Sequence, residues 1–317
     1  MTTRRTFLKQ SALAGMASTS PQVFYQSLKQ NSEKIKFPIC IFSKHLQFLP
    51  SYEAAAELAA EIGFDGVDLA VRPKGHVLPQ NISKDLPKAV GAMKAAGLEV
   101  PMMTTGIQSI DSPHANEILA LATGLGIQYY RMGYLKFDKE LGVGKSLENY
   151  YSSMAELAEL NESYGIHGAY QNHDGRNIGA ALWDIYQLVK AQNPQWLGIQ
   201  YDIRHAVVEG AKSWPIDLEL VHSHIRTFVI KDFHWDQRKN GSWYVKNVPL
   251  GEGMVDFGAY FSELKRLNIQ GPISYHIEYK HYEDSDSPAE KRRKTYEAMK
   301  KDLTTLRKML IEAEMDE

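Results

Sequence analysis

A single cysteine, Cys40, is present in 317 residues. One thiol excludes an internal disulfide, a cysteine-built zinc site and a CxxC redox pair, so any metal must sit on oxygen and nitrogen ligands. A surplus of positive charge is missing as well: 36 Lys and Arg stand against 38 Asp and Glu, a formal net charge of −2. Nothing in that balance would hold a phosphate backbone or an anionic membrane, so neither nucleic acid nor a membrane is expected as a partner. Extremes of composition are absent too. Hydrophobic residues make up 44% and charged residues 23%, which argues against disorder, a collagen-like chain and a membrane bundle. A soluble folded chain remains, long enough for two domains or for one large α/β barrel.

The first residues stand apart from the rest. Arg4-Arg5 is followed by Phe7-Leu8-Lys9 and a mild apolar run, Ser11 to Ala17, with small residues near its end. Twin arginine, weak apolar region and small-residue exit predict a Tat-type export signal, with residues 1–30 as signal and linker and the mature protein in the periplasm. The plainer alternative is a frayed amphipathic N-terminus. Tat carries folded proteins, so the fold and any cofactor would form before export.

From Lys36 onward, short runs rich in Val, Ile, Phe and Tyr alternate with stretches of helical period. This predicts βα units on a parallel sheet. Ser51 and Gly63 bracket the first helix as N-cap and left-handed C-terminal residue. The punctuation returns as Gly63-Phe64, Gly97-Leu98, Gly126-Ile127 and Gly165-Ile166, 29 to 39 residues apart. Strands are expected over 36–43, 64–71, 98–104, 127–132, 166–172, 196–202, 225–231 and 272–279. A helix after Gly144 should turn Leu147, Tyr150, Tyr151, Met154, Leu157 and Ala158 inward. The last helix opens on the capping box Ser287-Pro288-Ala289-Glu290 and should bury Tyr296, Met299, Leu303, Leu306 and Leu310. Its cluster Lys291-Arg292-Arg293-Lys294 reads as a solvated face. Eight βα units close as a single-domain (β/α)₈ TIM barrel over 35–315, with its site at the C-terminal strand ends. One connection is longer than the rest: Asn240-Gly241 signals a type I′ hairpin after strand seven, projecting over the barrel mouth. Its aromatics, Trp235 among them, would either stack on a sugar ring or pack the hairpin down.

The strand ends are polar. They offer Lys44 and His45; Asp68, Arg72 and His76; Thr104 and Thr105; Arg131; Gln171, Asn172, His173 and Asp174; Asp202 and His205; Lys231 and Asp232; and His276 and Glu278. Strand period puts Gln171 with His173, and His276 with Glu278, on shared faces. A barrel interior is otherwise filled by Val, Ile and Leu, so the convergence points to binding chemistry. Each residue alone is better explained by a structural hydrogen bond, and the argument rests on their convergence. His205 either turns to the pocket or caps the next helix, and Gly251-Glu252-Gly253 shapes a turn rather than cradling phosphate.

In Gly63-Phe64-Asp65-Gly66-Val67-Asp68-Leu69, Tyr170-Gln171-Asn172-His173, Asp202, Val229-Ile230-Lys231-Asp232, Leu250-Gly251-Glu252-Gly253-Met254-Val255-Asp256 and Ile277-Glu278, residues 35–315 resemble the sugar phosphate isomerase/epimerase family of xylose isomerase-like TIM barrels. The resemblance implies one divalent metal held by Glu, Asp, His and Glu from strands five to eight, with the glutamates as acid and base. Asp202 and Glu278 match. Gln171 stands at the strand-five glutamate and Val229 at the strand-seven histidine; an amide oxygen still binds a hard cation, but valine ligates nothing. The implied ligands are therefore Asp202, Glu278, Gln171 and His276, for Mn, Co, Mg or Zn, with a metal-free barrel as the alternative.

The family reaction implies proton abstraction beside the carbonyl of a sugar or sugar derivative. Glu278 is the candidate base; Lys231, His173 and His276 are the candidate proton donors. His45, Arg72, His76, Arg131 and Trp235 are the candidate substrate contacts. Gln171 takes no proton, so one-base isomerisation fits better than two-carboxylate epimerisation. Lyase or hydrolase action on a keto-sugar or glycoside, and a catalytically silent sugar-binding barrel, are the alternatives. A small-molecule sugar is the expected partner, a homo-oligomer is compatible with the sequence, and the related multi-zinc DNA-repair chemistry lacks both ligands and charge.

Overall fold

The computed structural model describes residues 37–315. The expected export signal and linker over 1–30 lie outside the described residues. Seven strands follow one another around the barrel: β1 (Ile39–Phe42), β2 (Gly66–Val71), β3 (Glu99–Thr105), β4 (Tyr129–Arg131), β5 (His167–Gln171), β6 (Leu197–Asp202) and β7 (Ile225–Ile230). An antiparallel pair, β8 (Asp232–Gln237) and β9 (Trp243–Val248), interrupts the sequence before the eighth barrel strand, β10 (Ile273–Tyr275). Each barrel strand pairs in parallel with its neighbour, and β10 pairs with β1 to close the ring. The expected (β/α)₈ barrel is what the chain forms. Parallel strands covered on both faces must be apolar throughout or internally hydrogen-bonded, and β2 and β6 are buried at every position.

Local chemistry sets the element ends. The helix Tyr52–Ile62 starts where the Ser51 hydroxyl accepts from the Ala54 amide at 3.2 Å, and stops where Gly63 turns to φ 101°. That left-handed conformation costs any residue with a Cβ about 1 kcal/mol or more. Its inward row Ala55, Leu58, Ala59 and Ile62 is fully buried; removing Leu58 from water alone is worth about 2 kcal/mol. The last helix, Pro288–Glu312, carries both halves of the Ser287–Glu290 capping box and buries Met299, Leu303, Leu306 and Leu310. Tyr296 is only half-buried, and Thr295 takes the inner position instead. Arg292 and Arg293 pair at the surface with Glu61 and Glu297, as a solvated face would. In the helix Gly142–Tyr164, Met154 and Leu157 point inward but Tyr151 is exposed.

Two differences from the sequence reading concern the barrel mouth. β10 is three residues long rather than eight, because its ladders to β1 and β7 end at Tyr275, so His276 to Glu278 leave the barrel wall above the last pairing. The hairpin is not a two-residue type I′ turn. Its last pair is Gln237 with Trp243, the Gly241 amide bonds to the Arg238 carbonyl, and of the loop residues only Gly241 has positive φ, 84°. A type I′ turn needs two consecutive residues at positive φ; a type I turn closed by a left-handed glycine needs one. Among the described residues no helix is long and apolar enough to cross a membrane.

Candidate active site

Two polar clusters lie at the C-terminal ends of the strands. The first joins β4 to β7. Gln171 is buried with its whole amide committed: its oxygen accepts from Arg131 Nη1 at 3.0 Å and Tyr134 Oη at 2.7 Å, and its nitrogen donates to Asp202 Oδ2 at 2.8 Å. The same Oδ2 takes the Lys231 ammonium at 3.0 Å, while Oδ1 accepts the His205 amide at 3.2 Å. Asp202 thereby caps the helix Ile203–Gly210, and the His205 imidazole turns back to the cluster, its Nε2 2.7 Å from Lys231 Nζ. Asn172 fixes β5 against β6 by bonding the Asp202 backbone in both directions, at 2.7 and 2.9 Å.

Burial works to raise the Asp202 carboxyl, but His205, Lys231, His276 and Arg204 together outweigh it and hold it down at about 2. It is a carboxylate at any working pH. Burial pushes His205 well below the usual imidazole range, Lys231 adds to this, and Asp202 only partly opposes it. A neutral Nε2 can accept from the Lys231 ammonium. His173 packs its ring 4.0 Å from that of His205 and bonds through Nδ1 to the Asp174 carbonyl.

The second cluster joins β1 to β10. Glu278 Oε1 lies 3.3 Å from Lys44 Nζ, 3.6 Å from His276 Nδ1 and 4.0 Å from His45 Nε2. Burial opposes the charge on Glu278, yet His276, Lys231 and His45 hold its carboxyl far below the usual range. His276 stacks on Phe42 at 4.7 Å and meets Ser274 Oγ with Nε2 at 3.1 Å. Ser274 donates to Asp68 Oδ2 at 2.6 Å, and Thr104 donates to Asp68 from the other side at 3.0 Å. Burial lowers His276 to about 4, so at neutral pH the ring is uncharged. A cavity of about 680 Å³ opens beside this cluster, lined by Lys44, His45, Phe48, Glu278, Tyr279 and His281 among others.

The structure thus divides the expected site residues. Arg131, Gln171, Asp202 and Lys231 share one network; His45, His276 and Glu278 share another; Lys231 still acts electrostatically on Glu278. Arg72 lies over the Phe42 ring at 5.9 Å with its Nε unpaired. His76 packs against Tyr52, away from both groups of bonds. Trp235 stands on β8, 42% exposed, edge-on to Phe233. Asp232 serves the turn instead of the pocket: its carboxylate accepts from the amides of Phe233, Gly251, Gly253 and Val255. Sequence reasoning missed Tyr134, which sits in a loop with no pattern of its own, and Arg204, which ties the β9 residue Asn247 to Asp174.

A family model described as xylose isomerase-like TIM barrel matches residues 56–302. An uncharacterized protein of Methanocaldococcus jannaschii is 27% identical over 252 residues, covering 76% of this chain and 83% of that protein. Among solved structures, the chain is similar to a D-allulose 3-epimerase from Methylomonas sp. in complex with D-allulose, with TM-score 0.62 and 16% identity over 87% of this chain and 98% of the other. It is similar also to a xylose isomerase-like TIM barrel protein from Mycobacterium smegmatis in complex with magnesium, with TM-score 0.58 and 16% identity over 84% and 98%. Structural likeness at these identities shows the fold.

The metal set implied for strands five to eight does not fit the residues present. Val229 has no ligand atom, both ends of the Gln171 amide are hydrogen-bonded, and the Asp202 carboxylate is filled by Gln171, Lys231 and the His205 amide. Lys231 supplies at Asp202 the positive charge that a metal would otherwise bring. Two other groups offer converging ligand atoms: His45, His276 and Glu278, and His173, Asp174 and His205. In the second, His205 Nδ1 already contacts the Asp174 carboxylate, which also takes the Arg204 guanidinium at 2.9 Å.

Proposed function

Since the chain belongs to the xylose isomerase-like TIM-barrel family, we propose that it is an enzyme of the sugar isomerase/epimerase class, abstracting a proton beside the carbonyl of a sugar or sugar derivative. The observation that carries this reading is an ionised Glu278 opening to a cavity at the same barrel mouth as the buried Lys231–Asp202 pair. The D-allulose complex of a structural neighbour supports a monosaccharide-sized substrate.

The chain's own groups suffice for the chemistry. Glu278 removes the proton, and Oε2 is the oxygen for it, because Lys44 and the histidines gather on Oε1. Electrons move into the carbonyl, and the Lys231 ammonium, fixed by Asp202, stabilises the enediolate oxygen without reorganising. The proton of the neighbouring hydroxyl passes to the former carbonyl oxygen, the hydroxyl carbon becomes the new carbonyl, and Glu278 returns its proton to the former carbonyl carbon. This one-base course converts an aldose to a ketose and needs nothing of Gln171. Elimination from a keto-sugar is the second reading: the same enediolate expels a leaving group, and the amide at Gln171, which can supply no second base, favours it over epimerisation.

The test is solvent deuterium exchange, followed by proton NMR on a panel of free ketoses and aldoses, with ligand-observed NMR for binding. Glu278→Gln should lower exchange about 10²- to 10⁴-fold and leave sugar binding intact. If the wild-type protein binds a sugar but exchanges no carbon-bound proton, the barrel only binds and the reading is wrong.

A further inference from the structure

At the β1–β10 side of the barrel mouth the ligand atoms of His45, His276 and Glu278 converge within 4.8 Å of one another. His45 Nε2 and His276 Nδ1 are both buried without a hydrogen-bond partner within 3.5 Å, and lie 4.0 and 3.6 Å from Glu278 Oε1. Their side chains are 9% and 5% exposed. The orientation of His276 follows from its other nitrogen. With Asp68 as a carboxylate, the single hydroxyl proton of Ser274 goes to Asp68 at 2.6 Å, so Ser274 Oγ can only accept from His276 Nε2–H. In that tautomer Nδ1 is the free ligand atom, 3.6 Å from Glu278 Oε1. Lys44 reaches the same oxygen, but its side chain is 41% exposed, and such surface pairs are weak and easily exchanged.

We propose that His45, His276 and Glu278 form a binding site for a first-row divalent ion of the zinc or cobalt kind, displaced across the barrel mouth from the strand-five-to-eight position the family resemblance implies. Tetrahedral ligands on bonds of about 2.1 Å stand about 3.4 Å apart; with Glu278 at 3.6 and 4.0 Å from the two nitrogens and all three atoms within 4.8 Å, the set closes with side-chain shifts of up to about an ångström. Two imidazoles and one carboxylate select zinc, cobalt or iron over magnesium, and leave coordination positions open toward the cavity. Ser274 and Asp68 supply the outer hydrogen bonds that orient a ligating histidine, and the Phe42 ring fixes its plane. The site shares Glu278 with the proposed chemistry, engaging it through Oε1 and leaving Oε2 to a substrate.

The full-length protein, stripped with chelator, is titrated with cobalt(II) and read by visible absorption and by metal content after desalting. One equivalent with d–d bands of a four- or five-coordinate ion is expected. His45→Ala and His276→Ala should lose it, while Gln171→Ala, at the implied family position, should keep it. Ser274→Ala, a small change that leaves all three ligands, should weaken cobalt binding about 10-fold, and circular dichroism checks that each variant is folded. Cobalt retained by folded His45→Ala and lost by Gln171→Ala would return the metal to the family position. No cobalt bound by the wild type would remove the site altogether. Either result overturns the proposal.

Discussion

At the scale of single residues, the Asp202–Lys231 pair decides what the mouth of the barrel can do. Both side chains are buried and 3.0 Å apart. Taking two ions out of water costs roughly what their attraction returns, so the pair adds little to stability while either partner left alone is expensive. Asp202→Asn should therefore destabilise the fold by about 3–5 kcal/mol, and Asp202→Asn with Lys231→Met should recover most of that loss. Urea unfolding of the two variants checks it; a double variant no more stable than the single would show that the pair contributes more than its mutual neutralisation. Both residues were legible as strand-end candidates, because they close the apolar runs of strands six and seven. That each satisfies the other was not legible, since no spacing along the chain relates a residue on β6 to one on β7. The same holds for Ser274, which looks like filler in Ile273-Ser274-Tyr275 and yet bonds both Asp68 and His276.

Elements show how a sequence motif can be right about place and wrong about role. The Lys231-Asp232 pair marks the end of β7, but only Lys231 turns to the pocket. Asp232 lies where the chain enters the β8–β9 hairpin, and it gathers four backbone amides from Phe233 to Val255. Gly253 has no Cβ because one would lie 2.2 Å from the Asp232 carboxylate. The hairpin is thus held at its base by one side chain, and at the barrel by Asn247, which accepts from Arg204 at 2.8 Å and approaches the Glu278 carbonyl at 3.4 Å. Asp232→Ala leaves four amides without their acceptor and should cost about 1–3 kcal/mol. It should also expose the hairpin to limited proteolysis near Arg238–Lys239 faster than in the wild type. An unchanged melting temperature and cleavage rate would mean that the turn is held by other contacts.

Over the whole molecule, buried histidines set the response to acid. Burial lowers His167 and His276 to about 4 from the ordinary 6.5. Between those values the unfolded chain binds protons that the folded one refuses. Stability is therefore full above pH 6.5 and falls as the pH drops toward 4, by on the order of 3 kcal/mol for each histidine. Asp202, held at about 2 in the fold, adds a further loss only below the ordinary carboxyl value of 3.8. Melting temperature followed from pH 8 to 4 should be level down to about 6.5 and then decline; a level curve down to pH 4.5 would contradict the burial argument. The sequence by itself determined the barrel, because alternation of apolar runs, caps and glycines is local chemistry repeated eight times, and chain order fixes which strands are neighbours. It determined also which residues stand at the strand ends, and the export reading rests on the twin arginine and the apolar run over residues 4–17, outside the described residues. Only the tertiary structure decided how those residues are divided, with Lys231 taking the charge at Asp202 and His45 and His276 meeting Glu278 at the β1–β10 side of the mouth. Hydrogen bonds and ion pairs between strands depend on the angle and depth of each side chain in the closed ring, which no distance along the chain encodes.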